Sequence, residues 1–230
     1  MRVTYFGHSC FLVETAGARL VLDPYLSENP HGIVDPAGVP CDFVLCSHAH
    51  EDHICDALDL ARQHRATIVA PYELAEHFAA QGGPTLDLMP GGGVDLPWGR
   101  IQMTPALHSS ALEFGDGKTH SMGVASGYLI KAAGLTVYHA GDTALFGDMS
   151  LIGRHGLDLA LIPIGDFYTM GPADAIEALN LLHPKLAVPM HYNSSEKIRQ
   201  DPQAFATHAA IAGHTVRVIT PGESFELSAP

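Results

Sequence analysis

The sequence predicts an α/β protein in which two mixed β-sheets pack face to face and helices cover their outer sides. Short apolar runs separated by Gly, Pro and Asp turns recur along the whole chain. Strand–helix alternation appears on either side of residues 85–139, and that middle stretch is rich in strands. The chain has 230 residues, 47% of them hydrophobic, so it can bury one substantial core. We therefore expect residues 1–230 to form a single domain.

The first part of the chain is predicted to form strands that lead into a histidine-rich segment. Alternating apolar residues and turn signals place strands at 2–6, 10–15, 19–23, 42–47 and 66–70. Helical spacing of apolar residues follows over 54–64 and 72–81. The strand at 42–47 ends directly before His48, so the histidine-rich segment begins where an apolar strand leaves its sheet.

The rest of the chain is strand-rich at first and then alternates again. Strands are predicted at 85–89, 94–97, 100–105, 124–131 and 135–139. Three further strands, at 158–163, 185–190 and 215–219, are separated by helices at 172–183 and 202–212. Pro172 and Pro202 stand at the first helical positions, and Gly213 stands where the last helix is expected to end.

The amino-acid composition limits the kinds of binding partner and the cellular compartment that we expect for this protein. The chain carries 12 Lys and Arg against 25 Asp and Glu, a formal net charge of −13, which disfavours binding to nucleic acid. We therefore expect a small-molecule substrate. Four cysteines without a C-x-x-C pair favour reduced thiols. The sequence shows neither a signal-peptide pattern nor an apolar run of roughly 20 residues, so we expect a cytoplasmic protein that does not enter a membrane.

The strongest functional signal is a cluster of four potential metal ligands, His48, His50, Asp52 and His53. Side chains at i and i+2 of an extended segment point the same way, so His48 and His50 can share one ion. On a helix these two would lie about 200° apart and could not do so. Asp52 and His53 can then reach a second ion. Imidazole and carboxylate ligands suit zinc, iron or manganese.

Three more candidate ligands share a position at the end of an apolar strand. His108 follows residues 101–107, Asp142 follows residues 135–141, and His191 follows residues 186–190. Loops at one edge of a pair of sheets can converge on a common point, so these side chains are expected to join the cluster. His120, in the Gly- and Ser-rich stretch 109–123, is the alternative to His108, which is favoured because of its strand-end position.

The pattern H-x-H-x-D-H at 48–53 resembles the signature of the metallo-β-lactamase superfamily. The resemblance to this superfamily covers essentially the whole chain. Later segments match its other motifs in the right order: GDT at 141–143 and PMHYN at 189–193. Four shorter segments resemble a narrower branch of small metal-dependent hydrolases, UPF0173-like and related to ascorbate-6-phosphate lactonase: GHS at 7–9, LDPY at 22–25, IGD at 164–166 and TMG at 169–171.

The resemblance implies a four-layer αββα sandwich with a site for two divalent metal ions at one edge. Zinc is the first choice, with manganese or iron as alternatives. By position, the first ion would be held by His48, His50 and His108, the second by Asp52, His53 and His191, with Asp142 between them. Asp23 would hydrogen-bond to metal ligands and fix the orientation of their rings. Two metals can lower the pKa of a bridging water, and Asp52 would orient the resulting nucleophile for attack on an ester, lactone or phosphodiester.

Substrate-side residues carry a weaker signal. His8, in the turn after the first strand, either faces the metals or is a buried structural residue. Tyr168 and Met170 lie in a strand-end loop, and Tyr192 and Asn193 directly follow His191, so each is a candidate for substrate contact.

Two matters stay open from the sequence. The Pro- and Gly-rich stretch 27–40 could serve as a lid over the site or as a contact in a homo-oligomer. A nuclease, or a metal-binding protein without catalysis, is the alternative to a small-molecule hydrolase. The net charge and the complete ligand set argue against these alternatives.

Overall fold

The computed structural model describes residues 1–115 and 117–228, which form fifteen strands and six α-helices. The strands are β1 (Arg2–Gly7), β2 (Cys10–Thr15), β3 (Ala18–Leu22), β4 (Phe43–Leu45), β5 (Thr67–Pro71), β6 (Thr85–Leu88), β7 (Gly93–Leu96), β8 (Gly99–Pro105), β9 (Ala111–Glu113), β10 (Thr119–Ser121), β11 (Ser126–Ala132), β12 (Leu135–His139), β13 (Leu159–Pro163), β14 (Leu186–Met190) and β15 (Ser224–Glu226). The helices are α1 (Glu51–Ile54), α2 (Ala57–His64), α3 (Tyr72–Ala80), α4 (Met149–Gly153), α5 (Pro172–Leu182) and α6 (Pro202–Ile211).

Two large mixed sheets make up the fold. In the described residues, the first sheet has seven strands in the order β15-β1-β2-β3-β4-β5-β6, and the second has six in the order β14-β13-β12-β11-β8-β7. Each sheet has an antiparallel part and a parallel part: β3 to β6 pair in parallel, as do β12, β13 and β14. Strands β9 and β10 form a separate hairpin. This is the predicted arrangement of two mixed sheets with helices outside.

The alternation of side chains along the first sheet explains why it has a core on each face. Leu20 and Leu22 point into the main core, which lies between the two sheets, whereas Val21 points to a second core. The second core also contains Leu60 from α2 and Leu74 from α3, so these helices cover the outer face of the first sheet. Helices α4, α5 and α6 contribute Met149, Leu179 and Phe205 to the core around the second sheet.

Some predicted elements differ from the structure. The predicted helix 54–64 is broken between Ile54 and Ala57. At the break, the Asp56 carboxylate accepts hydrogen bonds from the backbone of Leu26 (2.6 Å) and Ser27 (3.1 Å). The predicted strand at 215–219 is wrong as a strand, since that segment forms only an isolated bridge between Val216 and Ala187. The short elements β9, β10, β15 and α4 were not predicted.

The fold brings several strand ends of both sheets to one edge. The backbone N–H and the hydroxyl of Ser126, in the second sheet, both donate to the carbonyl oxygen of Ser47, at distances of 3.0 and 2.8 Å. Because Ser47 follows the first-sheet strand β4, these bonds tie the histidine-rich segment to the opposite sheet. All four cysteines are unpaired. Within residues 1–115 and 117–228, no helix has both the length and the apolar character needed to cross a membrane.

Candidate metal centre

Seven side chains with potential metal-ligating atoms meet at this edge of the sandwich. Each lies in a segment that follows a strand of one of the two sheets: His48, His50, Asp52 and His53 after β4, His108 after β8, Asp142 after β12 and His191 after β14. His50 has extended backbone angles and precedes α1, in which Asp52 and His53 lie. His50 therefore lies in extended backbone and His48 in the bend that follows β4, while Asp52 and His53 are carried by the helix.

Three imidazoles form the first group. The Nε2 atom of His48 lies 2.9 Å from Nδ1 of His50, and Nε2 of His108 lies 3.3 Å from the same nitrogen. Nitrogen ligands of a tetrahedral ion, with bonds of about 2.0–2.1 Å, lie about 3.3 Å apart. The three nitrogens are thus spaced as the ligands of one ion would be. The competing residue His120 lies in β10, with an exposed side chain whose ring is 5.1 Å from that of Phe114.

The second group contains Asp52, His53 and His191. Their ligand atoms, together with one from His8, all lie within 4.8 Å of one another. The group is mostly buried, but the side chain of Asp52 is 43% exposed and opens to solvent. Metal-ligating atoms therefore face both the protein interior and a path by which a substrate could arrive.

Asp142 lies between the two groups. Its Oδ2 atom is 3.6 Å from Nε2 of His108, in the first group, and 2.9 Å from Nε2 of His191, in the second. Its Oδ1 atom is 3.4 Å from Nε2 of His53. One carboxylate thus reaches ligands on both sides, which is the geometry that a residue bridging two ions requires.

A buried aspartate orients two of the imidazoles. Asp23 Oδ2 lies 2.8 Å from Nδ1 of His53 and accepts the hydroxyl of Ser47 at 2.7 Å. The oxygen of that hydroxyl lies 2.9 Å from Nδ1 of His48. Protons on both Nδ1 atoms satisfy these contacts and leave Nε2 of each ring free to bind a metal. Asp23 therefore sets the tautomer of one ligand from each group.

His8 connects the second group to a further polar side chain. Its Nε2 atom is 3.1 Å from Oδ2 of Asp52, and its Nδ1 atom is 2.7 Å from the hydroxyl of Ser194. Burial, followed by the proximity of His191, lowers the pKa of His8 to about 4, so the ring is neutral at pH 7. In a neutral ring Nδ1 can accept from Ser194, while Nε2 faces the Asp52 carboxylate without a hydrogen-bond partner among the described residues.

Burial and mutual repulsion keep the first group unprotonated. Burial is the main cause that lowers the pKa of His48, His50 and His108. The neighbouring histidines add to this lowering, and the nearby Asp142 carboxylate opposes it. For the carboxyl of Asp52, burial acts to raise the pKa, but the contacts with His8 and His53 outweigh it and hold the pKa below its usual range. The first group therefore offers neutral imidazoles and Asp52 an ionised carboxylate, the protonation states that metal binding needs.

The residues present fit a bound cation. Nε2 of His53 and Oδ1 of Asp142 are buried, and no hydrogen-bond partner for either lies among the described residues. Burial acts to lower the pKa of His53, but the carboxylates of Asp142 and Asp23 outweigh it and hold that pKa well above its usual value. The two carboxylates thus favour a positive charge at this point. A divalent ion would supply that charge and satisfy both buried atoms at once.

The metal-ligating atoms open into a cavity of about 450 Å³. Its lining consists of His50, Asp52, His108, Ser109, Asp142, Tyr168 and His191. Of the substrate-side candidates, Tyr168 lines this cavity and is 49% exposed, and its hydroxyl accepts a hydrogen bond from Nζ of Lys197 at 3.0 Å.

The other substrate-side candidates lie elsewhere. The side chain of Met170 is 2% exposed and packs in the main core, so it does not line the cavity. Tyr192 is 6% exposed and packs against the same core. Asn193 is exposed, and its Oδ1 accepts from the backbone of Gln200 at 2.9 Å. These positions favour structural roles for the three side chains.

Sequence reasoning did not single out Ser47, Ser194, Ser109 or Lys197. Ser47 was detectable in principle, because it directly precedes the first ligand at the end of a strand. Ser194 and Lys197 carry no local signal, since their importance comes from contacts with His8 and Tyr168 across the fold.

Comparison with known proteins gives matches along nearly the whole chain. Residues 2–191 match the β-lactamase superfamily domain. The chain is 71% identical over 227 residues to a UPF0173 metal-dependent hydrolase of Opitutus terrae. This match covers 99% of this chain and 100% of that protein. The chain is 45% identical over 230 residues to another such hydrolase, from Pelotomaculum thermopropionicum, with the same coverage. Its fold is similar to that of Igni18, a metallo hydrolase of Ignicoccus hospitalis, with a TM-score of 0.89, 38% identity and 99% of each chain covered.

Proposed function

Because this chain belongs to the β-lactamase superfamily, and within it to the UPF0173 metal-dependent hydrolases, we propose that it uses two divalent metal ions to hydrolyse an ester, lactone or phosphodiester of a small molecule. The observation that carries the proposal is the position of Asp142, whose carboxylate reaches imidazoles of two separate ligand groups. Zinc is the first choice of metal, because neutral imidazoles with a few carboxylates suit it, and manganese or iron are the alternatives.

Each of the two groups of ligands would bind one metal ion. His48, His50 and His108 would bind one ion, and Asp52, His53 and His191 the other, with Asp142 shared. When bound, two such ions would lower the pKa of water between them from about 15.7 towards 7 and so supply a nucleophile at neutral pH. Asp23 contacts Nδ1 of His53 and so keeps Nε2 of that ring free to bind the second ion.

Asp52 is the residue that we propose to orient the attacking water. Its carboxylate is 43% exposed and lines the cavity, whereas Asp142 is almost fully buried. Contact with His8 holds Asp52 in one orientation at 3.1 Å, and Ser194 in turn holds His8. An ionised carboxylate that accepts a hydrogen bond from water fixes the direction of attack on the substrate carbonyl or phosphorus.

Tyr168 and Lys197 are proposed to contact the substrate at the rim of the cavity. Nζ of Lys197 lies 5.1 Å from the ring centre of Phe167 and 5.6 Å from that of Tyr168, so two aromatic rings hold the cation beside the opening. A carboxylate or phosphate oxygen of a substrate would find a hydrogen-bond donor there. The unpaired thiols support a reducing compartment, so the cytoplasm is the proposed location.

Replacement of Asp52 by Asn tests the proposal. We expect kcat to fall by about 10²- to 10⁴-fold on whichever ester, lactone or small diester wild-type protein hydrolyses, because the amide orients the water poorly and cannot accept its proton. Asp59, an exposed aspartate on α2, provides the matched control, and Asp59→Asn should retain activity. The mechanism would be wrong if Asp52→Asn, or Asp52→Ala, left both metal content and turnover unchanged. A polynucleotide assayed beside a small diester separates the proposal from a nuclease.

A further inference from the structure

A second cavity, of about 560 Å³, adjoins the one that contains the metal-ligating atoms. We call it the side cleft. It lies between the segment 106–111, which follows β8, and the segment 121–125, which precedes β11. His108 and Ser109 line both cavities, so the side cleft opens directly beside the first ligand group. One molecule can therefore reach from the metal-ligating atoms into the side cleft.

The lining of the side cleft is uncharged apart from the ligand His108. The other nine lining residues are Ala, Leu, Val, Gly and Ser, with no Asp, Glu, Lys or Arg among them. The chain as a whole has a net charge of −13, so this uncharged wall beside the candidate metal centre differs in charge from the rest of the protein. It provides nothing to neutralise a phosphate or a second carboxylate, whose desolvation there would be unfavourable.

Two of the three serine hydroxyls in the lining of the side cleft have hydrogen-bond contacts within the protein. The hydroxyl of Ser110 accepts from the backbone of Ala49 at 3.2 Å and donates to the carbonyl of Met122 at 3.3 Å. The hydroxyl of Ser109 lies 3.3 Å from Nε2 of His50. The backbone of Met122 also donates to the carbonyl of Ser110 at 2.9 Å. The two walls of the cleft are thus joined by hydrogen bonds between Ser110 and Met122, and the third lining serine, Ser121, is exposed.

Two apolar side chains remain exposed in this cleft. Leu107 is 56% exposed and Val124 is 45% exposed, and they come from opposite walls. Covering such surface with an apolar group gives about 25 cal/mol for each Å² removed from water. A cavity of this size is within the range of about 300–1,000 Å³ that is typical of small-molecule sites.

We propose that the side cleft binds an uncharged alkyl or aryl arm of the substrate, while the bond to be hydrolysed lies among the metal ligands. This inference rests on the proposed function and narrows its substrate class. The preferred substrate is an ester or lactone with an apolar substituent on the side of His108, and polar nucleotide-like diesters are disfavoured. Any anionic group of that substrate lies outside the side cleft, towards Tyr168.

Binding of alkyl hydroxamates to the zinc-reconstituted protein tests the inference without a need for turnover. The chelating headgroup stays constant from acetohydroxamate to octanohydroxamate, and only the apolar arm becomes longer. In calorimetric titrations of wild-type protein, we expect the affinity to rise by about two- to fourfold for each added methylene until the cleft is filled. An affinity that does not change with arm length would overturn the inference.

Variants of Val124 show whether the arm lies in the side cleft. Val124→Asp places a charge in the wall and should remove most of the dependence on arm length. Val124→Phe should reduce the arm length at which the affinity stops rising. Ile211, 80% exposed on α6, provides the matched control, and Ile211→Asp should retain the full dependence. Equal dependence in wild type and Val124→Asp would place the arm elsewhere and refute the assignment. Tight, arm-dependent binding by a protein that hydrolyses no ester, lactone or diester would instead refute the proposed function alone.

Discussion

Replacement of Asp23 by Asn changes one atom in the residue that orients the metal ligands. Asp23 is 1% exposed, and its backbone φ is +43°, a conformation that Asn adopts readily. The backbone can therefore stay in place. The carboxylate accepts three hydrogen bonds, from the backbone and hydroxyl of Ser47 and from Nδ1 of His53. An amide has only one acceptor oxygen, so its nitrogen must face donors on the other side.

The expected magnitude follows from the donors that lose their acceptor. If the amide oxygen keeps the backbone of Ser47, the amide nitrogen faces Nδ1 of His53 at the present distance of 2.8 Å. His53 can avoid this clash by moving its proton to Nε2, but that atom faces Asp142 and is the one that would bind the second metal. Loss of such an orienting contact typically costs about 10- to 100-fold in metal affinity. A buried donor without an acceptor also costs about 1–3 kcal/mol of stability in the metal-free protein.

The assay compares metal affinity and metal count in wild type and Asp23→Asn by competition with a chromophoric chelator. We expect the second equivalent of metal to be weakened most, because His53 belongs to the second group. Asp158 provides a matched control, as a 7% exposed aspartate that accepts a backbone N–H from Thr136 at 2.7 Å. Asp158→Asn should lower stability but leave metal affinity unchanged. Unchanged affinity for both metals in Asp23→Asn would refute the role assigned to Asp23.

Three further outcomes are expected. Gly141→Ala should lower the metal content and the stability of the protein, because Gly141 has a φ of +61° and an added Cβ would collide with the carbonyl oxygen of Ser126. Retention of two metals by this variant would contradict the prediction. Lys197→Met should raise KM for a carboxylate-bearing substrate by about two- to fivefold with little change in kcat, and an unchanged KM would exclude contact at Tyr168. Burial raises the pKa of all four cysteine thiols, so fewer than one per chain should react with Ellman's reagent at pH 8 before denaturation and all four after it.

The fold class was predictable from the sequence because local patterns decide it. Alternating apolar residues placed β1 to β8 within one or two residues of their observed bounds, and strand–helix units gave the parallel parts of both sheets. The hairpin β9–β10 escaped prediction, since each strand has three residues and pairs only with the other. The segment 215–219 has the apolar alternation of a strand but contributes only one bridge, because pairing depends on the neighbour that the fold provides.

The candidate site was predictable where ligands are close in sequence or follow strands. His48 and His50 share one group, as the i, i+2 spacing predicted, although His48 lies in a bend and only His50 in extended backbone. The strand-end rule located His108, Asp142 and His191 near them. The supporting contacts were not predictable. His8 reaches the site because the backbone of His191 donates to its carbonyl oxygen at 2.7 Å, a contact between residues 183 positions apart. No local pattern encodes such a contact, and the same is true of Met170, which the fold turns into the core.

The presence of two metal ions is the central claim, and it can be measured directly. Protein purified without added metal should contain about two equivalents of zinc, manganese or iron per chain by elemental mass spectrometry. A His48→Ala/Asp142→Ala variant, which lacks one ligand of the first group and the carboxylate between the groups, should lose them. Fewer than half an equivalent in wild type, unchanged in the variant and not restored by reconstitution, would contradict the two-metal centre and the hydrolytic mechanism built on it.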